Sequence, residues 1–77
     1  MRFQRLKDLR EDKDLTQDAV GNLLGIHQTV YSRYERGYQT IPLEHVLVLA
    51  DYYGTSIDYI LGRTNMSKPY PSPPTRP

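Results

Sequence analysis

The sequence predicts an all-α fold of five short helices, and three observations carry that expectation. Apolar residues recur at intervals of three and four in successive stretches. No stretch shows the apolar-polar alternation of a half-buried strand. Glycines at positions 25, 37, 54 and 62 fall just after periodic stretches, where helices commonly end. At 77 residues the chain has room for one domain. A domain that small buries only about 60% of the surface its unfolded chain exposes, so its stability is modest.

The first stretch, Phe3 to Lys13, places Phe3, Leu6 and Leu9 on one stripe, with Arg10 and Lys13 interleaved. Asp14-Leu15 breaks it. Thr16 then opens a second helix, its hydroxyl able to cap free amides of the first turn, with Asp18 suited to the helix dipole. Val20, Leu23 and Leu24 share its apolar face, and Gly25 ends it.

A third helix is expected from about Gln28 to Arg36, with Val30, Tyr31 and Tyr34 inward and Gly37 as its stop. Tyr38-Gln39-Thr40-Ile41 reads as a loop. Pro42 suits a first helical turn, since its missing N–H is an orphan there in any case. Leu43, Val46, Leu47, Ala50 and Tyr53 then mark one face of a fourth helix, on which His45 is expected to face solvent. Ser56 caps a short fifth helix with Asp58 in its first turn, and Gly62 closes the ordered part.

From about Asn65 the composition changes. Five of the six prolines lie at positions 69, 71, 73, 74 and 77, so residues 65–77 are expected to form a disordered, extended tail beyond a domain of residues 1–64.

Several function classes are disfavoured. The absence of cysteine excludes a disulfide framework and a thiolate metal site. His27 and His45 are the only histidines, and no metal-ligand set surrounds either. There is no phosphate-binding glycine loop, zinc-hydrolase signature or supported nucleophile constellation, so neither an enzyme nor a cofactor or small-molecule site is expected. No apolar run approaches the roughly 18 to 20 residues of a membrane span, and the charged N-terminal stretch has no signal-peptide core, so a cytoplasmic protein is expected.

The spacing around Gly25 is the informative feature. Two short helices joined by a tight turn between Leu24 and Gln28 form a helix-turn-helix, whose second helix fits the major groove of DNA. The outward positions of that helix are Gln28, Thr29, Ser32, Arg33 and Arg36, with His27 at its start. Glutamine pairs with adenine and arginine with guanine in bidentate fashion, and threonine offers both a methyl and a hydroxyl. Bulk charge does not supply this reading: ten basic and nine acidic residues leave a net charge of +1.

Leu6-Lys7-Asp8-Leu9-Arg10-Glu11-Asp12-Lys13, Leu15-Thr16-Gln17, Gly25-Ile26, Ser32-Arg33-Tyr34-Glu35-Arg36-Gly37, Leu49-Ala50-Asp51-Tyr52-Tyr53 and Ser56-Ile57-Asp58-Tyr59-Ile60-Leu61-Gly62-Arg63 together resemble the Cro/cI-type helix-turn-helix proteins, the XRE family. The resemblance runs in one register over about residues 2–64 and implies a five-helix, lambda-repressor-like DNA-binding domain. It implies base contacts from Gln28, Thr29 and Arg33, with Ser32 and His27 beside them. It implies phosphate contacts from Thr16, Gln17, Arg36, Tyr38 and Gln39. Arg10 and Glu35 match a structural ion pair. It further implies a homodimer on double-stranded DNA, with Tyr52, Ile57, Tyr59 and Ile60 the candidate interface. Two positions depart from the pattern. Gly21 replaces a usual alanine, which would loosen the second helix by up to about 1 kcal/mol. His27 replaces a small hydroxyl residue and is expected to be a poorer cap.

The function expected is a sequence-specific transcriptional regulator, in the first instance a repressor. The alternative is a helix-turn-helix protein-interaction module, an antitoxin or anti-repressor, for which the near-neutral charge and the proline-rich stretch speak.

Overall fold

The computed structural model describes residues 2–68, so the expectation for the prolines from Pro69 onward lies outside the described residues. Five helices follow in order: α1 (Gln4–Asp12), α2 (Gln17–Leu24), α3 (Gln28–Arg36), α4 (Leu43–Tyr53) and α5 (Ile57–Ile60), with no strand among the described residues.

The helix ends follow from local chemistry. Thr16 Oγ1 accepts the Ala19 N–H at 3.0 Å and starts α2, and Ser56 Oγ accepts the Tyr59 N–H at 3.0 Å and starts α5. Between α1 and α2 the chain turns at Asp14, whose φ of 55° is the one left-handed value outside glycine among the described residues. Gly37 ends α3 at φ 78°, and a Cβ there would stand 2.9 Å from Cβ of Arg2. Both the dihedral and the close approach of the N-terminal segment therefore require glycine.

Every helix contributes to the core, α4 most: Leu6, Val20, Tyr31, Leu49 and Ile60 are fully enclosed, and Tyr34, Ile41, Val46, Ala50 and Tyr53 complete it. Full burial of a side chain of this size stabilises by about 1.5 to 3 kcal/mol, which is a large share of what so small a domain has available. Arg5 ties the end of the domain back to α1. Its Nη1 donates to the carbonyl oxygens of Tyr59, at 2.8 Å, and Thr64, and its Nη2 donates to Asn65 Oδ1 at 2.8 Å. The guanidinium also lies 4.0 Å from the centre of the Tyr59 ring, a stacked cation-π arrangement.

The apolar faces differ from expectation in two helices. Leu23 is exposed at the surface of α2. On α4, Leu43 and Leu47 are 61% and 46% exposed, and Leu49, absent from the expected face, is enclosed. The buried set Val46, Leu49, Ala50 and Tyr53 is the arc that meets α5 and the core, so packing chose one of two overlapping apolar arcs. His45 is drawn inward as well. Its ring lies 6.0 Å from that of Tyr34, with Nδ1 3.5 Å from the tyrosine oxygen, so it does not simply face solvent.

Candidate nucleic-acid interface

Helices α2 and α3 pack chiefly on each other across the turn Gly25–His27. Gly21 makes that packing close: a Cβ there would meet the Ile26 carbonyl oxygen at 3.0 Å and the Gln28 nitrogen at 3.4 Å. The small residue therefore lets the turn and the start of α3 sit against α2, a role that offsets its weak helix propensity.

Along α3 each residue turns the helix by about 100°. Gln28, Ser32, Arg36, Thr29 and Arg33 then fall in one arc of about 140°, and all but the half-buried Ser32 are exposed. The opposite side holds Tyr31, Tyr34 and Glu35, all buried, and the partly buried Val30. The exposed arc is polar, carries two arginines and has no acid.

The one acid of the helix is disposed of inside. Glu35 is 4% exposed and receives hydrogen bonds from three side-chain nitrogens. Arg10 Nε donates to its Oε2 at 2.7 Å, Arg10 Nη2 to its Oε1 at 3.1 Å and Gln17 Nε2 to Oε1 at 3.2 Å. Arg10 Nη1 donates onward to the Leu15 carbonyl at 2.8 Å, so one guanidinium joins α1, the α1–α2 turn and α3. Burial pushes the Glu35 carboxyl up, but the Arg10 fork and the Gln17 amide outweigh it and hold the carboxyl below its ordinary range. The Glu35 hydrogen bond correspondingly raises Arg10, against the opposing effect of burial. The pair thus fixes α3 in place and removes a negative charge from the neighbourhood of the exposed arc.

His27 is a working cap. Its Nδ1 accepts the Thr29 N–H at 3.1 Å and lies 3.1 Å from Thr29 Oγ1. The imidazole nitrogen therefore reaches an orphan amide of the first turn, in the place where a hydroxyl or carboxyl oxygen commonly does so.

Around the arc lie the other candidates. Thr16 is exposed but uses its hydroxyl as the α2 cap. Gln17 at the first position of α2 is half-buried, and its amide nitrogen is directed to Glu35, a link that spacing alone did not reveal. Arg36 sits 4.9 Å from the centre of the Tyr38 ring, Tyr38 is 75% exposed, and Gln39 is exposed beside it. The Tyr38 and Gln39 amides bond back to the Arg33 carbonyl at 3.0 and 3.3 Å, which holds this loop against the end of α3. Arg2, exposed and packed on Gly37, brings a further cation to the same loop. Sequence reasoning missed it because the contact joins residues far apart in the chain and leaves no periodic trace.

The candidate dimer residues do not form one exposed set. Tyr52 is 46% exposed, and Ile57 and Tyr59 are half-buried, Tyr59 under Arg5. Ile60 is 1% exposed in the chain's own core. Its side chain is therefore not on offer to a partner, and the assignment of Ile60 to an interface is withdrawn. Among the described residues no cluster of His, Cys, Asp or Glu suits a metal ion, and no helix is long and apolar enough to cross a membrane.

Comparison with known proteins bears on this geometry. A helix-turn-helix family profile matches residues 6–60. The HTH-type transcriptional regulator AnsR of Bacillus subtilis (strain 168) is 37% identical over 92% of this chain and 61% of its own length. The cryptic phage CTXphi transcriptional repressor RstR of Vibrio cholerae is 42% identical over 69% of this chain and 48% of its own. The chain therefore spans about half to three-fifths of the length of these relatives. Among solved structures, the P22 c2 repressor in complex with a synthetic operator superimposes with a TM-score of 0.69 at 28% identity, over 75% of this chain and 88% of that one. An all-helical domain with this turn, this core and these relatives belongs to the helix-turn-helix family of Cro/cI (XRE) type.

Proposed function

We propose that the chain is a sequence-specific DNA-binding transcriptional regulator, in the first instance a repressor, that reads operator DNA as a homodimer through α3. The observation that carries this reading is the acid-free arc of exposed Gln28, Thr29, Arg33 and Arg36, with half-buried Ser32 among them, on a helix locked in place from behind by Glu35. A helix presented in this way fits the major groove, about 12 Å wide, and its side chains match base edges there. Gln28, Thr29 and Arg33 contact bases, with Ser32 and His27 at the margin. Thr16, Gln17, Arg36, Tyr38 and Gln39 hold phosphates, joined by Arg2. Gln17 serves both the phosphate and Glu35, since its amide nitrogen has two protons and Glu35 uses one.

Selection of duplexes from a random pool, followed by titration of the selected site, tests the reading. Affinity is expected to fall with salt at a log-log slope of about −0.9 per phosphate contacted. Gln28→Ala and Arg33→Ala are each expected to cost about 1 to 3 kcal/mol and relax preference at defined positions. No enrichment of any duplex, or affinity indifferent to salt, would instead favour a module whose ligand is another protein.

A further inference from the structure

We propose that His27 and Thr29 act as one unit that fixes the hydrogen-bonding polarity at the start of α3, presenting a donor from the histidine ring and an acceptor from the threonine oxygen. The inference rests on the reading of α3 as the helix that meets base edges, and it specifies what two residues of that helix demand.

The argument starts from one nitrogen. His27 Nδ1 accepts the backbone N–H of Thr29 at 3.1 Å, and Thr29 Oγ1 lies 3.1 Å from the same atom. A ring nitrogen that accepts from an amide carries no proton, so the proton of the neutral imidazole sits on Nε2. With Nδ1 bare, its contact with Oγ1 is a hydrogen bond in one sense only: the hydroxyl donates to the ring. A threonine hydroxyl ordinarily rotates and serves partners of either kind. Here its proton is committed to the protein, and the oxygen keeps its lone pairs for whatever approaches. Both residues are exposed, so the ring Nε2–H and the threonine oxygen are open to a ligand.

In the major groove the consequence is a chemical requirement. Amino groups occur there on adenine and cytosine, whereas guanine and thymine offer acceptors at the corresponding positions. Thr29 therefore selects adenine or cytosine and disfavours guanine and thymine. His27 selects an acceptor: a purine N7, guanine O6, thymine O4 or a phosphate oxygen. A serine in place of His27 would cap the helix but would offer no outward ring donor.

The test uses the full chain and a duplex it selects from a random pool. The selected site is expected to carry adenine or cytosine at the position that responds to Thr29→Val. Deleting the amino group of that base, with purine in place of adenine or 2-pyrimidinone in place of cytosine, is expected to weaken wild-type binding roughly five- to thirty-fold. The same deletion leaves Thr29→Val unaffected, because that variant makes no bond to lose. His27→Ala frees the hydroxyl, and discrimination between amino and keto bases disappears at that position. His27→Asn, whose Oδ1 caps the same amide and takes the same hydroxyl proton, restores it, which separates the polarity effect from fraying of the helix start. A guanine or thymine opposite Thr29, or an equal loss in wild type and Thr29→Val on amino deletion, overturns the inference while leaving α3 as the reading helix. A pool that enriches no duplex overturns that reading and the inference with it.

Discussion

At the scale of single residues, Glu35 has the largest predicted effect. It is buried, and three donors from two helices converge on it, so its removal strands the Arg10 guanidinium as well as the Gln17 amide. Truncating one partner of a buried pair costs about 3 to 5 kcal/mol. Glu35→Ala is therefore expected to lower Tm steeply in a thermal melt while leaving the selected DNA sequence unchanged. The same carboxyl gives the fold an acid limb. Its folded pKa lies below the unfolded value of about 4.3, so its contribution is fully present above that value. As pH falls through this window the unfolded chain takes up a proton that the folded chain declines, and stability is lost until pH passes the lowered folded value. Urea unfolding between pH 3 and 6 is expected to show this slope in the wild type and a flatter one in Glu35→Ala. Tyr53 is the opposite case: its hydroxyl is buried with no hydrogen-bond partner among the described residues, and burial pushes it up to about 12. Tyr53→Phe removes a desolvated group and is expected to raise stability, by about 1 kcal/mol, in the same urea experiment. The Arg10–Glu35 pair could be named from the sequence only through its resemblance to a family. The part played by Gln17 could not, because a glutamine at a helix start has no periodicity that points inward.

At the scale of elements, the helices were legible because α2 to α5 are each marked twice, by apolar spacing and by a cap or a glycine, while α1 is marked by its apolar spacing alone. Faces were legible only where one arc was apolar. On α3 the tyrosines mark the inward side, and spacing placed Gln28, Thr29, Arg33 and Arg36 outward as found, although Ser32 is half-buried and Glu35 joins the tyrosines inside. On α4 apolar residues occupy most of the circumference, so periodicity allowed Leu43 and Leu47 to compete with Leu49, and contact with α5 decided between them. The turn between α2 and α3 was legible from its glycine, but the part that Gly21 plays in it was not. Gly21 looks like a defect in a helix until the approach of Ile26 and Gln28 is known. Alanine there gains up to about 1 kcal/mol in helix propensity, but its Cβ must push the turn backbone outward by a few tenths of an ångström. Gly21→Ala is accordingly expected to leave Tm close to that of the parent and to weaken the selected duplex, since the displaced backbone carries Gln28. A gain of the full propensity term with unaltered affinity would show that the turn yields freely.

At the scale of the whole molecule, the small net charge conceals an uneven distribution. Arg33 and Arg36 stand on the exposed arc of α3 and Arg2 packs at its end, while Glu35, the one acid of that helix, is buried and paired with Arg10. In the proposed reading this is how a chain with nearly equal numbers of acids and bases would offer phosphate a favourable surface, which composition alone could not reveal. The proposed homodimer draws on a surface that a second copy would have to cover. With Ile60 withdrawn to the core, the surface left for a partner copy centres on Tyr52, exposed on α4 beside Tyr53, with Ile57 and Tyr59 half-buried on α5. Two copies joined there would have to place their α3 helices about 34 Å apart to enter successive major grooves. Tyr52→Glu puts like charges across that axis at the loss of one ring contact, the edge-to-face packing of Tyr52 on Tyr53 with centres 5.4 Å apart. The variant is expected to lose only the few degrees of Tm that one half-exposed ring contact supports and to keep its affinity for a single half-site. On a duplex carrying two half-sites it is expected to lose cooperativity, read as a shallower isotherm and a singly occupied band in a gel-shift titration. Inserting about five base pairs between the half-sites turns one groove to the far side of the helix and is expected to abolish cooperativity in the wild type as well. Unchanged cooperativity in Tyr52→Glu, alongside its loss on insertion, would place the dimer surface elsewhere on the molecule while preserving the dimer itself.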